Sequence, residues 1–520
     1  MQINEAYKIR RYSSKCRKDG DGRERTLTGL DSNSLPKIQN PLKIFFKMAR
    51  FAALRYAITV AAAAAIGTTA FQLPPSLPLT PRHHEALVRF SSTHDSITTH
   101  NKHNDGQYQL EQKTWMFQDK YPIAYEVASA ATTDSDEDVT TVPILLLNGF
   151  GVGSFHQHRL MRQLLIEQNQ QSDKRYVIYG IDYLGQGKSW PADPQDGNSA
   201  DEYQLGYSAD MWLDQLASFV QEVVISPPTD NDDSTTITTS NSINNNNKVH
   251  LVGNSVGGYL ATILTHKHPQ LISSLTLLNA TPVWGLNLPG WDGKLPAPAV
   301  PKAIGRQMFN LIRNEDVIRQ YLEAAYVRGE AFDGTFEDGF DGWGCIASNA
   351  DADNKNGAAT GGRGEPLGAK IRACTEGNGG HAAFASILWS APASGISFYE
   401  ALQQVPVDVL LLFGGDDPWC TEAVGKRMHV TLASRRDGAA CRFVTLKNVG
   451  HCPNHEAPTA VAQVLMPWLD ADDSEERRVV PLDSLSQIQE PWGEVVIREV
   501  SIEESESLGL VDRVVSSMVG

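Results

Sequence analysis

The chain is poor in cysteine, with six residues in 520, at Cys16, Cys345, Cys374, Cys420, Cys441 and Cys452. No two form a CxxC pair, so a disulfide scaffold and the common structural-zinc and dithiol motifs drop out. Basic excess is missing too: 45 Lys+Arg stand against 61 Asp+Glu, a formal net charge of -16. Nucleic-acid binders draw their affinity from Lys and Arg on phosphates, and this balance argues against them. No apolar run reaches the roughly 18–20 residues that span a bilayer. What remains is ordinary for a globular protein, 41% hydrophobic and 20% charged. The length suits two or three domains, or one large α/β domain with insertions.

Composition divides the chain. Residues 1–47 are polar and basic, and read as a disordered extension or an over-extended gene start. From Met48, Arg50 and Arg55 precede the Ala-rich stretch Tyr56–Ile66 and the small residues Gly67–Ala70. That order is the n-region, h-region and cleavage pattern of a signal peptide; a buried Ala-rich helix is the competing reading. Ala70-Phe71-Gln72-Leu73-Pro74-Pro75 resembles the Ala-Phe-Ala-Pro-type junction of bipartite plastid leaders in diatoms and related algae. Ser76–Asn104 is rich in Ser, Thr, His and Arg, as transit peptides are. Residues 48–107 are therefore expected to be a leader that carries the protein to the plastid, to the stroma or the thylakoid surface.

Residues 108–470 read as one α/β unit. Ile144–Leu147, Tyr176–Ile181, Val249–Val252, Leu275–Leu278, Val407–Phe413 and Phe443–Leu446 are short apolar runs suited to buried parallel strands. Amphipathic stretches such as Ala209–Val224 and Tyr259–His266 separate them. The alternation predicts a doubly wound, mostly parallel sheet with an inserted cap, at about 282–404. Two low-complexity insertions are expected at 227–247 and 333–380, the first ending in four consecutive asparagines. Residues 471–520 read as an acidic tail whose one β-like run, Glu494–Val500, has no evident place.

Chemistry concentrates at strand ends. Gly253-Asn254-Ser255-Val256-Gly257 follows one predicted strand and precedes a helix, the setting of a nucleophile elbow. Its small flanking residues let a strained turn lift the Ser255 hydroxyl above the sheet. A capping serine in a Gly-rich turn is the plainer alternative. A serine needs a base and an orienting acid, which in chain order should be an acid and then a histidine. Asp417 follows Val407–Phe413, and His451 follows Phe443–Leu446. Asp416 competes for the acid role, with the Gly-x-x-Asp register favouring Asp417. Asn148-Gly149-Phe150-Gly151 offers the oxyanion loop, with the N–H groups of Phe150 and Val256 as donors.

Other readings of these glycines fail. Gly149–Gly153 is spaced GxGxG rather than GxGxxG, and Gly185–Ser189 has Asp182 where a phosphate loop needs glycine. His156 and His158 could be read as metal ligands, but no neighbouring carboxylate in the sequence completes a site. No cofactor or metal is expected.

The runs NGFGVGSFHQH, IDYLGQGKSWP, GNSVGGYLA, LTLLNATPVWG, FASILWSAP, GGDDPW and GHCPNHEAP resemble the pheophytinase branch of the α/β-hydrolases, with the related chlorophyll dephytylases. The similarity runs in order over about Trp115–Leu469. Leu278–Gly285 and Phe384–Ile387 are its more specific parts; Val256 departs from the Leu usual in that branch, and Asn148 from the commoner His.

The resemblance implies a serine ester hydrolase that cleaves the phytyl ester of chlorophyll-type pigments, with peripheral contact to the thylakoid membrane. A plastid lipase or general carboxylesterase, or a non-catalytic binding protein of the same fold, are the alternatives. Trp284, Trp291, Phe309, Phe384 and Trp389 in the cap suit a greasy ester, although aromatics there are more often core.

Overall fold

The computed structural model describes residues 102–104, 108–131, 140–171, 174–191, 207–225, 248–284, 309–336, 365–377, 392–482 and 486–507, with single residues at 307, 340, 380 and 383. The expected leader up to residue 101, with Met48 and Ala70-Phe71, the insertion 227–247, and Trp291, Trp389 and Phe384–Ile387 lie outside the described residues, whereas Lys102–Asn104, at the end of the stretch expected as leader, form a strand paired in the sheet.

The first strands form an antiparallel meander of β1 (Lys102–Asn104), β2 (Tyr108–Phe117) and β3 (Tyr121–Ala130). The expected buried strands follow as β4 (Thr141–Leu147), β5 (Arg175–Ile181), β6 (Val249–Asn254), β7 (Ile272–Leu278), β8 (Asp408–Gly414) and β9 (Cys441–Lys447). They lie side by side as β5-β4-β6-β7-β8-β9, each pair parallel. The result is a mixed, mostly parallel sheet, as the alternation predicts.

Two-sided burial explains why these runs are continuously apolar. In β4, Leu145 and Leu147 enter one core cluster while Ile144 and Leu146 enter the other. In β8, Val409, Leu411 and Phe413 face the first cluster and Leu410 and Leu412 the second. Successive strand side chains point to opposite faces, so only an all-apolar run fills both layers.

Helices cover both faces. Among them are α1 (His158–Gln171), α2 (Ala209–Phe219), α3 (Val256–Lys267), α4 (Glu315–Ala325), α5 (Phe398–Gln404), α6 (Glu422–Ala433) and α7 (Pro458–Asp470). Tyr259, Leu260, Ile263 and Leu264 of α3 pack into the first cluster, and Val461, Leu465 and Trp468 of α7 into the second. The stretch expected as one helix to Val224 changes character at Val220, continuing as a π-helical segment, Val220–Ile225. No helix among the described residues is long and apolar enough to cross a membrane.

The 471–520 region departs from expectation. Rather than forming a separate acidic tail, it contributes the hairpin β10 (Gln487–Glu490) and β11 (Gly493–Glu499), and β11 pairs antiparallel with β9. The reason is alternation: Val495 and Ile497 point into the second core cluster while Glu494 and Arg498 face out. The sheet thus has eleven strands among the described residues, its parallel centre flanked by antiparallel strands on both edges.

Candidate active site

β6 ends in the turn that carries Ser255, whose backbone sits at φ 54° and ψ -118°. A non-glycine residue at positive φ is strained, and strain of this kind clusters at functional turns. The glycines around it are required by contact. A Cβ on Gly253 would lie 2.5 Å from the Gly257 carbonyl oxygen, and one on Gly257 would lie 2.5 Å from that of Leu147. The Ser255 side chain does not cap α3. Its Oγ instead lies 2.9 Å from His451 Nε2.

His451 follows β9 and Asp417 follows β8, so both reach the site from the C-terminal ends of neighbouring strands. His451 Nδ1 is 2.6 Å from Asp417 Oδ2, and the Asp417 side chain is fully buried. The other oxygen, Oδ1, accepts the Trp419 N–H at 2.7 Å. Asp416 faces elsewhere: its carboxylate accepts the Asn448 N–H at 2.7 Å in the turn after β9. Of the two candidate acids, Asp417 is the one beside the histidine. Trp419 also sets its ring edge-on against His451, with centroids 4.9 Å apart.

The loop after β4 lies against the elbow, since a Cβ on Gly149 would be 3.4 Å from Ser255 Cβ. Phe150 in that loop and Val256 at the start of α3 are both half-buried and pack on the first core cluster. Asn148 shapes the loop: its Nδ2 donates to the carbonyls of Val152 at 2.7 Å and Gly149 at 3.2 Å. Gln186 Oε1 accepts the Gly151 N–H at 3.0 Å.

The two histidines near this loop part company. His158 Nε2 meets the buried Glu126 carboxylate at 2.8 Å, a partner distant in sequence and therefore not foreseen. Burial alone would raise the Glu126 carboxyl, but the charge and hydrogen bond of His158 hold it at about 2. His156 Nε2 lies 3.0 Å from the Tyr326 hydroxyl, and its ring stacks on His455. Among the described residues, the group able to hold a metal ion is Asp417, Cys420 and His451, whose donor atoms lie within 4.8 Å of one another. Two of those three already belong to the Ser255 hydrogen-bonded line. Burial, with Asp417 nearby, pushes the Cys420 thiol well above its ordinary value.

Three residues whose roles sequence reasoning missed support this line. Asn254 Nδ2 donates to the His451 carbonyl at 3.0 Å, tying the histidine loop to the elbow. Glu456 is buried behind it, accepting the Gly450 N–H at 2.7 Å through Oε2, and those of Val327 at 2.7 Å and Arg328 at 2.9 Å through Oε1. Burial pushes its carboxyl up to about 7. Asn279, at the end of β7, donates to Asp417 Oδ2 at 2.9 Å. The cap aromatics within the described residues are core: Trp284 packs between Trp212 and Tyr259, and Phe309 is buried.

A doubly wound sheet, a strained serine turn and a histidine–aspartate pair at the strand ends define a class. Residues 144–464 match the alpha/beta hydrolase family, and the chain belongs to it. Beyond the family, the chain is 27% identical over 399 residues to the chloroplastic pheophytinase of Arabidopsis thaliana, covering 72% of this chain and 69% of that one. Among solved structures, it is similar to the esterase EaEST from Exiguobacterium antarcticum at 16% identity and TM-score 0.43, covering 69% of this chain and 99% of that one. It is also similar to a bacterial membrane phospholipase A at 18% identity and TM-score 0.41, covering 69% and 86%.

Proposed function

We propose that the protein is a serine ester hydrolase in which Ser255 is the nucleophile, His451 the base and Asp417 the orienting acid. The observation that carries this reading is the unbroken line from Ser255 Oγ to His451 to Asp417, at 2.9 Å and 2.6 Å, beginning on a strained turn. Ser255 Oγ attacks the ester carbonyl carbon as its proton passes to His451 Nε2. Asp417, hydrogen-bonded to Nδ1, keeps the ring in the tautomer that can accept and stabilises the imidazolium. The N–H groups of Phe150 and Val256 receive the oxyanion of the tetrahedral intermediate. Collapse expels the alcohol, which takes its proton from His451. Water, deprotonated by the same imidazole, then releases the acid from Ser255.

The substrate we propose is the phytyl ester of a chlorophyll-type pigment, yielding free phytol. The likeness to a chloroplastic pheophytinase supports it, as do the runs LTLLNATPVWG and GHCPNHEAP. Phytol is a twenty-carbon chain, and burial is worth about 0.8 kcal/mol per CH₂, so a site that covers half of it discriminates strongly against short alcohols. The same reading assigns residue 48 to about residue 101 to a plastid leader, ending before the strand at Lys102–Asn104, and the protein to the stroma or the thylakoid surface. Replacing Phe71 with Ala in a reporter fused to that leader should leave the reporter outside the plastid.

The substrate reading is tested by offering the purified protein dispersed pheophytin, chlorophyll, a triacylglycerol and p-nitrophenyl butyrate side by side. Phytol released from a pigment, with a higher kcat/KM than the butyrate ester, is the expected result. Butyrate preferred, with no phytol from either pigment, replaces it with a general carboxylesterase.

A further inference from the structure

The run Leu278–Gly285 is one of the more specific parts of the sequence resemblance, and its first residues are wired into the hydrogen-bonded line itself. The Leu278 carbonyl accepts the Ser255 N–H at 3.1 Å, and the Thr281 N–H donates to the Ser255 carbonyl at 3.1 Å. Between them, Asn279 is completely buried and adopts φ 41°, which turns its side chain away from the strand register. Its Oδ1 accepts the Gly414 N–H at 2.7 Å, and its Nδ2 donates to the Gly414 carbonyl at 3.2 Å as well as to Asp417 Oδ2 at 2.9 Å. A third acceptor, the Cys420 carbonyl, lies 3.4 Å from Nδ2. One side chain therefore grips the end of β8, the turn after it and the carboxylate.

A carboxylate free to rotate about its Cβ–Cγ bond is a poor guide for an imidazole. Here Trp419 holds Oδ1, while Oδ2 is shared by His451 and Asn279. Without Asn279, Oδ2 keeps one donor and the carboxyl can swing. Misplacement by about 1 Å in such a line costs on the order of 10² in rate. We infer that Asn279 is a positioning residue, fixing the plane of the Asp417 carboxylate and through it the His451 ring. This inference rests on the Ser255–His451–Asp417 reading, but is independent of which ester is the natural substrate.

The test is a double-mutant cycle on p-nitrophenyl butyrate hydrolysis, with melting temperature followed in parallel. Asn279→Ala should lower kcat about 30- to 100-fold with KM within about threefold, and the same change in an Asp417→Ala background should cost less than about threefold. A second variant, Asn279→Asp, keeps the acceptor for Gly414 and puts a second carboxyl where the amide nitrogen lay 2.9 Å from Asp417 Oδ2; burial and like-charge repulsion keep it protonated, so it can donate in the amide's place. Asn279→Asp should therefore recover kcat to within about tenfold of wild type while Asn279→Ala does not. Equal losses in both backgrounds, or an Asn279→Asp variant as slow as Asn279→Ala with a wild-type melting temperature, make Asn279 a structural staple and overturn the inference. If Asp417→Ala itself costs less than about tenfold, the inference falls together with the acid assignment. Absence of phytol release from pigments would overturn only the substrate reading.

Discussion

The rim of the sheet and the cap segment above it are built on opposite principles. At the rim, Ser255, Asn279, Asp417 and His451 sit at the ends of adjacent strands, and their polar atoms answer one another within 3 Å. The described cap, residues 309–336 and 365–377, has a small apolar centre around Ile318, Leu322 and Leu367, which Trp492 from the last hairpin joins. It meets the rim through backbone and side chains: the Ala325 carbonyl accepts the His451 N–H at 2.7 Å, Glu456 takes the amides of Val327 and Arg328, and the Tyr326 hydroxyl lies 3.0 Å from His156 Nε2. Beyond that it leaves Leu311, Tyr321 and Val327 exposed. Hydrogen-bonded rim and partly exposed cap are a division of labour: the first sets chemistry that tolerates no displacement, and the exposed side chains of the second can vary with the substrate.

The sharpest way to break this contrast is at the rim. Ser255→Ala should lower kcat by about 10⁶ with the melting temperature little changed, because loss of one member of such a line removes the whole effect. Activity within about tenfold of wild type would remove Ser255 from the role. Next in size, Asp417→Asn should cost about 10⁴ in kcat, while Asp416→Asn, whose partner is Asn448, should cost far less. The reverse ranking would mean that the acid was misassigned.

The cap should answer more mildly. Tyr321 lies 6.3 Å from Trp419, which in turn touches His451. Tyr321→Ser should raise KM for long-chain esters a few-fold and leave kcat for p-nitrophenyl butyrate within about twofold. A fall in kcat comparable to that of the rim variants would place the cap within the chemistry.

The smallest effect concerns pH. Glu456 titrates at about 7 in the folded protein rather than 4.5, because burial disfavours its charge. Its contribution to stability is therefore full below about pH 4.5 and is lost as pH rises through 7. Glu456→Gln should flatten the fall in melting temperature between those limits, and thermal scans across that range would reveal a fall as steep as wild type if burial does not act this way.

How much of this could be read from sequence follows from the range of each interaction. The parallel strands were legible because burial on both faces forces unbroken apolar runs such as Leu145–Leu147 and Val409–Phe413. The elbow was legible because sterics demand glycine at 253 and 257. The β2–β3 hairpin was less so: its turn places Gln118 and Asp119 at φ 54° and 53°, where Asn-Gly would be the usual signal. β11 hid because a strand next to the sheet's edge, with charges alternating along its outward face, looks like a solvated tail. Asn279 could not be found at all from spacing, since its partner is 138 positions away and only the fold brings them together. Likewise Glu126 and His158 meet only across β3 and α1.

Whether Ser255 is a nucleophile activated by His451 is read out by mass spectrometry of the protein after reaction with a fluorophosphonate. One adduct is expected, on the peptide carrying Ser255, formed quickly by the wild type, far more slowly by His451→Ala and not at all by Ser255→Ala. An unlabelled wild-type protein, or an adduct on another residue that survives Ser255→Ala, would contradict it.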